Sequence, residues 1–331
     1  MMNKTLRNVT IIGTGSYIPE KVRPNKYFEK LGSSDEWIYK TLGIKERHIA
    51  AADEVTSDLA AKAGLKAIED AGLTADDIDL IIVATATPDR PAPATACFVQ
   101  DKIKAYNAAA FDMLAVCSGF MYGMSIASQY IATGTFNKVL VIGADIFSKI
   151  TDWERRDSIF FGDGAGAAVL SNTNTDSGFL GYRIATDGRG KYDFTIPGGG
   201  SEMPMSSKVI EARQQFWHMN GKEVFDAATK VVPEIIKQVL DDTGLKSEDI
   251  DCVIPHQPGK GMLKVIMDKA GLSWDKVHTN MDKYANTVGA TVPIMLDETN
   301  KAGKIKKDDI VLFAAIGAGW TWSAGILKWT K

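Results

Sequence analysis

The sequence predicts an α/β chain of two related halves, stacked as a layered α/β/α/β/α body. An internal duplication and a repeated alternation of strand and helix carry that prediction. Residues 67–83 read AIEDAGLTADDIDLIIV, and residues 239–255 read VLDDTGLKSEDIDCVIP. Each is the end of an amphipathic helix, a Gly-Leu stop, an acidic turn and then a buried strand. The same offset of 172 residues brings VLVIGAD at 139–145 onto VLFAAIG at 311–317, two apolar runs of strand length that run into glycine. Self-similarity at a fixed offset marks a duplication, so the halves are read as residues 1–175 and 176–331.

Taken in order, the first half opens with an apolar strand at 8–14, and GTGSY at 13–17 reads as a turn. A helical pattern follows over 57–71, a strand over 79–85, and helices over 95–105 and 118–133. A strand at 138–144 comes next, and FGDGAGAAVL at 161–170 reads as a tight turn feeding a buried strand. The second half gives a helix at 222–242, a strand at 251–255, helices at 260–271 and 287–302, and a strand at 309–316. Such alternation implies mostly parallel sheets covered by helices. Ligands then bind beyond the carboxyl ends of the strands.

With 331 residues, 45% of them hydrophobic and 24% charged, the chain reads as an ordinary soluble globule. A formal net charge of −3 argues against nucleic acid as the main ligand. No apolar run approaches the ~18–20 residues of a membrane span. The N-terminal stretch MMNKTLRNVTIIGTG has no secretory core and no cleavage-type site. Cys97, Cys117 and Cys252 lack metal-ligand spacing, so a reducing cytoplasm and no metal are expected. GTGSY mimics the start of a dinucleotide fingerprint, but the third glycine is missing and Pro19 breaks any helix there. No nicotinamide or flavin is expected.

Three residues fall at strand-to-helix turns on one predicted face. Cys117, in AVCSGF, precedes the helical SGFMYGMSIASQYI; His256 follows DCVIP, where the first half has Ala84. Asn286, in YANTVGAT, precedes another helix at an offset of 169 from Cys117. A thiol at a helix N-terminus faces the positive end of the macrodipole, which favours thiolate. A thiolate attacking a thioester expels another thiolate, so no strong acid is required. An imidazole and an amide N–H close by can hold a carbonyl oxygen as it gains charge. Backbone N–H groups of Cys117 and of IGAGW, 316–320, offer a second oxyanion pocket. Each residue also has a plainer reading, as a buried thiol, a core histidine and a helix cap; their shared placement favours chemistry. Cys97 and Cys252 lie inside helix and strand patterns and read as structural.

Cys117, PHQ at 255–257, ANT at 285–287 and GAGWTW at 317–322 resemble the β-ketoacyl-acyl-carrier-protein synthase III family, of the thiolase-fold superfamily. GTGSYIPE at 13–20, SSDEWI at 33–38, GIKERHIA at 43–50 and FGDGAGAAVL extend the resemblance over essentially the whole chain. It implies a thiolase-like fold, a homodimer, and an acyltransferase of fatty-acid initiation that needs no cofactor. The implied reaction is a decarboxylative Claisen condensation. A primer acyl-CoA acylates Cys117; a malonyl thioester, carried on acyl carrier protein, then loses CO₂ and attacks the acyl-enzyme. The resemblance makes Cys117 the nucleophile, and His256 and Asn286 the donors to the malonyl thioester carbonyl. The backbone of Cys117 and Ala318 becomes the oxyanion pocket. Trp37 matches a tryptophan that stacks on the CoA adenine, and Arg155 or Arg156 an arginine on the ring's other face. The alternative for the two arginines is a solvated charge run.

The chain also departs from the family pattern. After PHQ it reads Pro258-Gly259-Lys260-Gly261 in place of Ala-Asn-x-Arg, so Lys260 stands beside the place of a basic residue that faces the carrier protein. Thr41 and Leu42 replace Arg-Thr near CoA, and Ala318 replaces a glycine. Ala92 stands where many members have a bulky aromatic that reaches the partner subunit's acyl pocket, leaving space for a longer or branched primer. Two other readings stay open. One is a specialised relative that joins unusual acyl chains in secondary metabolism or passes an acyl group to another nucleophile. The other is a silent acyl-binding subunit. A thiolase is disfavoured because 316–322 holds no second cysteine, and no motif supplies the glutamate of a hydroxymethylglutaryl-type synthase.

Overall fold

The computed structural model describes residues 6–331; residues 1–5, which begin the stretch read above for a leader, lie outside it. The first half contributes β1 (Asn8–Tyr17), β2 (Lys21–Pro24), α1 (Asp35–Leu42), β3 (Glu46–Ile49), α2 (Thr56–Asp70) and β4 (Leu80–Ala84). It continues with α3 (Thr95–Ile103), β5 (Ala109–Met113), α4 (Gly119–Ala132), β6 (Lys138–Ile146) and β7 (Asp163–Thr173). Then come β8 (Gly178–Thr186), β9 (Phe194–Thr195), α5 (Ser207–Glu211), β10 (His218–Met219), α6 (Gly221–Thr243) and β11 (Cys252–Pro255). The chain ends with α7 (Lys260–Ala270), α8 (Met281–Tyr284), α9 (Thr291–Lys301), β12 (Ile310–Gly317) and β13 (Thr321–Lys328).

A five-stranded sheet runs β1-β7-β6-β4-β5, and a four-stranded sheet runs β11-β12-β13-β8. β4 lies parallel to both β5 and β6, whereas β7 is antiparallel to β6 and to β1. In the second sheet only β11 and β12 are parallel. The sheets are therefore mixed, where the alternation of elements implied mostly parallel ones. The reason is local. β12 passes into β13 through residues 318–320 alone, far short of the dozen or so that a parallel crossover needs.

Burial explains the stacking. One face of the first sheet packs Ile81, Val83, Leu140 and Ile142 against α2 and α3. Its other face, with Ile82 and Val141, meets Phe120 and Met124 of α4 and Val292 and Leu296 of α9. The same central cluster includes Ile254, Val311 and Phe313 of the second sheet. Beyond that sheet, Val253, Leu312 and Ile326 pack on α6 and α7. β4 and β11, buried on both faces, are continuous apolar runs for this reason. The layers are thus α/β/α/β/α.

The offset of 172 residues recurs in where elements begin. Leu80 and Cys252, Gly119 and Thr291, and Lys138 and Ile310 begin matching elements, each pair separated by the offset seen in the sequence. The second sheet has no strand matching β5 among the described residues; a single bridge from Val253 to Val277 takes its place. GTGSY is strand and not turn, because β1 runs unbroken to Tyr17. Its glycines serve packing: a Cβ on Gly13 would lie 2.2 Å from Ala67 O, and one on Gly15 2.4 Å from Ala63 O, both on α2. Among the described residues no helix is long and apolar enough to cross a membrane.

Candidate active site

After β5 the chain enters a one-turn 3-10 helix, Val116–Ser118, that leads directly into α4. Val116 has φ 47°, a left-handed conformation that is strained for a β-branched side chain. Its counterpart at the repeat offset, Val288, has φ 56° in the matching turn Val288–Ala290 ahead of α9. By that offset the partner of Cys117 is Gly289, and Asn286 lies three residues before it. Ser118 Oγ donates to Ala115 O at 2.8 Å and so ties the Cys117 turn closed. β12 ends beside this turn, and only a residue without a side chain fits there. A Cβ on Gly317 would lie 2.4 Å from Ala115 O and 2.9 Å from the backbone N of Cys117.

His256 follows β11 and extends its ladder, donating its backbone N–H to Ala314 O at 2.8 Å. The ring is buried, and Nδ1 lies 2.7 Å from Thr291 Oγ1. Burial lowers its pKa to about 3, so the imidazole is neutral at physiological pH. Asn286 is gripped by the first half of the chain: its N–H donates to Phe160 O at 3.1 Å, and its carbonyl accepts from Gly162 N at 3.0 Å. Its side-chain Oδ1 accepts the Val288 N–H at 2.8 Å. Because only the amide oxygen can accept that bond, the NH₂ end is turned the other way. Asn286 is not the cap residue itself: Thr287 precedes the turn and Ala290 precedes α9, and Asn286 bonds to the first N–H of the turn from one residue further back.

Cys117, His256 and Asn286 line one cavity of about 120 Å³, together with Gly317 and Ala318. The rest of its wall is apolar, from Phe160, Phe161, Phe194, Met219, Val224, Met262 and Trp320. Segments far apart in sequence thus converge on a single apolar chamber with a few polar groups, the usual form of a small-molecule site. The thiolate expectation needs correcting. Desolvation, joined by the charge of Asp145, pushes the Cys117 thiol up. A helix N-terminus offers only about 0.3–1 kcal/mol to an anion, which desolvation outweighs. Burial thus favours the protonated form of the Cys117 thiol over the thiolate.

The remaining expected residues separate in space. The Arg156 guanidinium lies 5.1 Å from the centre of the Trp37 ring, and Trp37 is 42% exposed on α1. Arg155 points elsewhere: it donates to Trp217 O at 3.0 Å and pairs with Asp157. Arg156, and not Arg155, is the arginine over Trp37, because Asp157 and the Trp217 carbonyl capture the other guanidinium. Ala318 keeps a negative φ, the left-handed conformation falling on Gly319 at φ 135°, so alanine is accommodated. Lys260 is exposed at the start of α7, against Gly43 at the end of α1 and two residues from Met262 of the cavity wall. Ala92 is exposed and does not line the cavity of its own chain. Among the described residues no group of three or more His, Cys, Asp or Glu side chains is placed to hold a metal ion.

Sequence reasoning missed Thr291, which sits five residues after Asn286 inside the YANTVGAT motif. It also missed Asp145, whose signal was a charge closing the apolar run VLVIGAD. The aromatic wall at Phe160, Phe161 and Phe194 carried no periodicity that marks a pocket.

Comparison with known proteins places this geometry. The family model described as 3-oxoacyl-[acyl-carrier-protein (ACP)] synthase III matches residues 111–188, and its C-terminal counterpart matches residues 240–329. The chain is 48% identical over 323 residues to the β-ketoacyl-[acyl-carrier-protein] synthase III of Caldanaerobacter subterraneus subsp. tengcongensis, covering 97% of this chain and 98% of that one. This chain belongs to the β-ketoacyl-[acyl-carrier-protein] synthase III family. A crystal structure of the synthase III from Aquifex aeolicus matches with a TM-score of 0.90 at 38% identity, covering 97% of this chain and 100% of that one. The priming β-ketosynthase of the R1128 polyketide biosynthetic pathway matches with a TM-score of 0.91 at 28% identity, covering 100% and 99%. The five layers are those of the thiolase fold. Synthase III is an acyl-transferring condensing enzyme of fatty-acid biosynthesis. Cys117 falls within the first matched segment, and His256, Asn286 and Ala318 within the second.

Proposed function

We propose that the chain joins an acyl primer, taken from acyl-CoA onto Cys117, to a malonyl unit delivered on acyl carrier protein. The convergence of Cys117, His256 and Asn286 on one apolar cavity carries this reading. The Cys117 sulfur attacks the primer thioester and gives up its proton, the Cys117 and Ala318 N–H groups hold the tetrahedral oxyanion, and CoA leaves as its thiol. In the second step the malonyl carboxylate leaves as CO₂. Its bonding electrons move onto the thioester carbonyl oxygen, where His256 Nε2–H and Asn286 Nδ2–H hold the enolate. The enolate carbon then attacks the acyl-cysteine, the C–S bond breaks, a β-ketoacyl thioester departs, and the Cys117 thiolate takes up a proton from water to restore the thiol. No cofactor enters any step.

For Nε2 to donate, Nδ1 must accept the Thr291 hydroxyl proton, for which Val288 O at 3.0 Å competes with Nδ1 at 2.7 Å. The Trp37–Arg156 pair brings an aromatic face and a cation together for the CoA adenine, which would part the two on entering. Lys260 serves as the cation for an acidic carrier protein. The unpartnered edge of β5 and Leu114, 70% exposed beside it, support a homodimer, which would bring Ala92 of each chain toward the other. The three free cysteines suit a cytoplasmic location. Sedimentation should give about twice the 35.9 kDa of one chain.

Mass spectrometry after mixing with acyl-CoA tests the reading. Cys117 should gain the acyl mass, and Cys117→Ala should not. His256→Ala and Asn286→Ala should still acylate yet fail to release CO₂ from a malonyl thioester; normal condensation by those two variants would overturn the assigned roles.

A further inference from the structure

Asp145 is a fully buried carboxylate that none of these steps uses. It lies near the end of β6, and the repeat offset pairs it with Gly317, as it pairs Cys117 with Gly289. Around Cys117, glycine at 317 sets no side chain against the backbone N–H, and Gly317 lines the cavity there. Around Gly289 the equivalent space is taken: Asp145 Oδ2 accepts the Gly289 N–H at 2.9 Å. The other carboxylate oxygen accepts from Ala86 N at 2.8 Å, Thr87 Oγ1 at 3.0 Å and Thr85 Oγ1 at 3.2 Å. Four donors on two oxygens are what a carboxylate satisfies and a neutral acid does not.

Gly289 sits at the centre of the turn that holds two of the reacting side chains. Its neighbour Val288 donates its N–H to Asn286 Oδ1, and Thr291 touches His256 Nδ1 while lying 3.0 Å from Val288 O. There is no slack: a Cβ on Gly289 would lie 3.1 Å from Asp145 Oδ2 and 3.2 Å from Val116 O. We propose that Asp145 is a positioning residue, its carboxylate filling the unused twin of the oxyanion pocket and clamping the 286–291 turn so that Asn286 and His256 meet the enolate. The inference rests on the condensing function proposed above.

Asp145 also acts on Cys117, whose ionisation its negative charge opposes. The groups bonded to it are the Thr85 and Thr87 hydroxyls and the Ala86 and Gly289 amides, and Cys117 is the ionisable side chain coupled to it. Removing the charge therefore moves the two half-reactions in opposite directions, which simple loss of structure does not do.

The test compares the wild-type chain with Asp145→Asn in two assays. One is the pH profile of Cys117 alkylation by iodoacetamide; the other is CO₂ release from malonyl-CoA. In Asp145→Asn the alkylation profile should move to lower pH, roughly tenfold in rate per pH unit moved. CO₂ release should fall on the order of 10²-fold, as for a small misplacement of reacting groups. Thr85→Val, which keeps the charge and removes one donor, should lower CO₂ release several-fold with alkylation at its original pH, and it decides the matter if Asp145→Asn does not fold. Unchanged CO₂ release in either variant overturns the proposal, as does an equal fall in both assays. A wild-type chain that neither acylates nor decarboxylates would instead overturn the parent function.

Discussion

The Thr291 hydroxyl has one proton and two acceptors in reach, His256 Nδ1 at 2.7 Å and Val288 O at 3.0 Å. Removing it by Thr291→Val keeps the shape but frees the ring, so the enolate step should slow roughly 10-fold, less than the loss of a group that itself moves a proton, because Thr291 only orients the ring. Acylation of Cys117 should be unaffected, which single-turnover mass spectrometry would show. On α1, Trp37→Ala should raise KM for acyl-CoA by about 2–5-fold with kcat unchanged, matching a cation–π and stacking contact of about 0.5–1 kcal/mol at an exposed site. An effect on kcat alone would count against it. His256 stood out because it follows the apolar strand DCVIP, and Cys117 and Asn286 because each precedes a helix pattern, although Asn286 follows the short helix α8 and not a strand. Arg155 and Arg156 could not be told apart in sequence, since neighbours in a 3-10 turn leave in different directions and only their partners, Asp157 and Trp37, decide which is which.

At the scale of elements, the helices of the core were legible and several strands were not. α2, α4, α6 and α7 lie within a residue or two of their expected bounds because each carries an apolar stripe and a clear stop; Gly244 and Gly271 end α6 and α7 in the left-handed conformation. β4, β6, β11 and β12 read clearly as apolar runs. β8 and β13 were missed. β8 is an edge strand with mixed exposure and no clean alternation, and β13 reads TWSAGILK, its Gly325 lying under the Tyr182 ring instead of presenting a side chain. β5, AAFDM, is short, and its Asp112 turns to accept the Thr95 and Ala96 N–H groups at the start of α3. The glycines of β1 were misassigned to a turn, since close approach of a helix leaves the same mark in sequence as a sharp bend. Gly15→Ala should therefore destabilise the fold by about 1–3 kcal/mol, the usual cost of overpacking, read as a lower denaturant midpoint at constant m-value.

For the whole molecule, two buried groups pull stability in opposite directions with pH. His256, lowered from 6.5 to about 3, stays neutral in the folded chain while the unfolded chain takes up a proton. Its contribution is present above pH 6.5 and is lost as pH falls toward 3. Asp145, raised from 3.8 to about 6, contributes stability below pH 3.8 that is lost as pH rises through 6. His256→Asn should flatten the rise of Tm between pH 4 and 6.5, and Asp145→Asn should steepen it; calorimetry across that range would check both signs. The five-layer architecture was legible because duplication left its offset in the sequence. The mixed strand directions were not, being set by the short β12–β13 link and by β1 and β8 closing each sheet.

The grip of Phe160 and Gly162 on Asn286 has a practical consequence. A break in the exposed loop at 174–176 would leave the sulfur on one fragment and the imidazole and carboxamide on the other, each missing the backbone that shapes its turn. Neither piece alone should condense anything, and mixing them should restore turnover with a second-order dependence on fragment concentration.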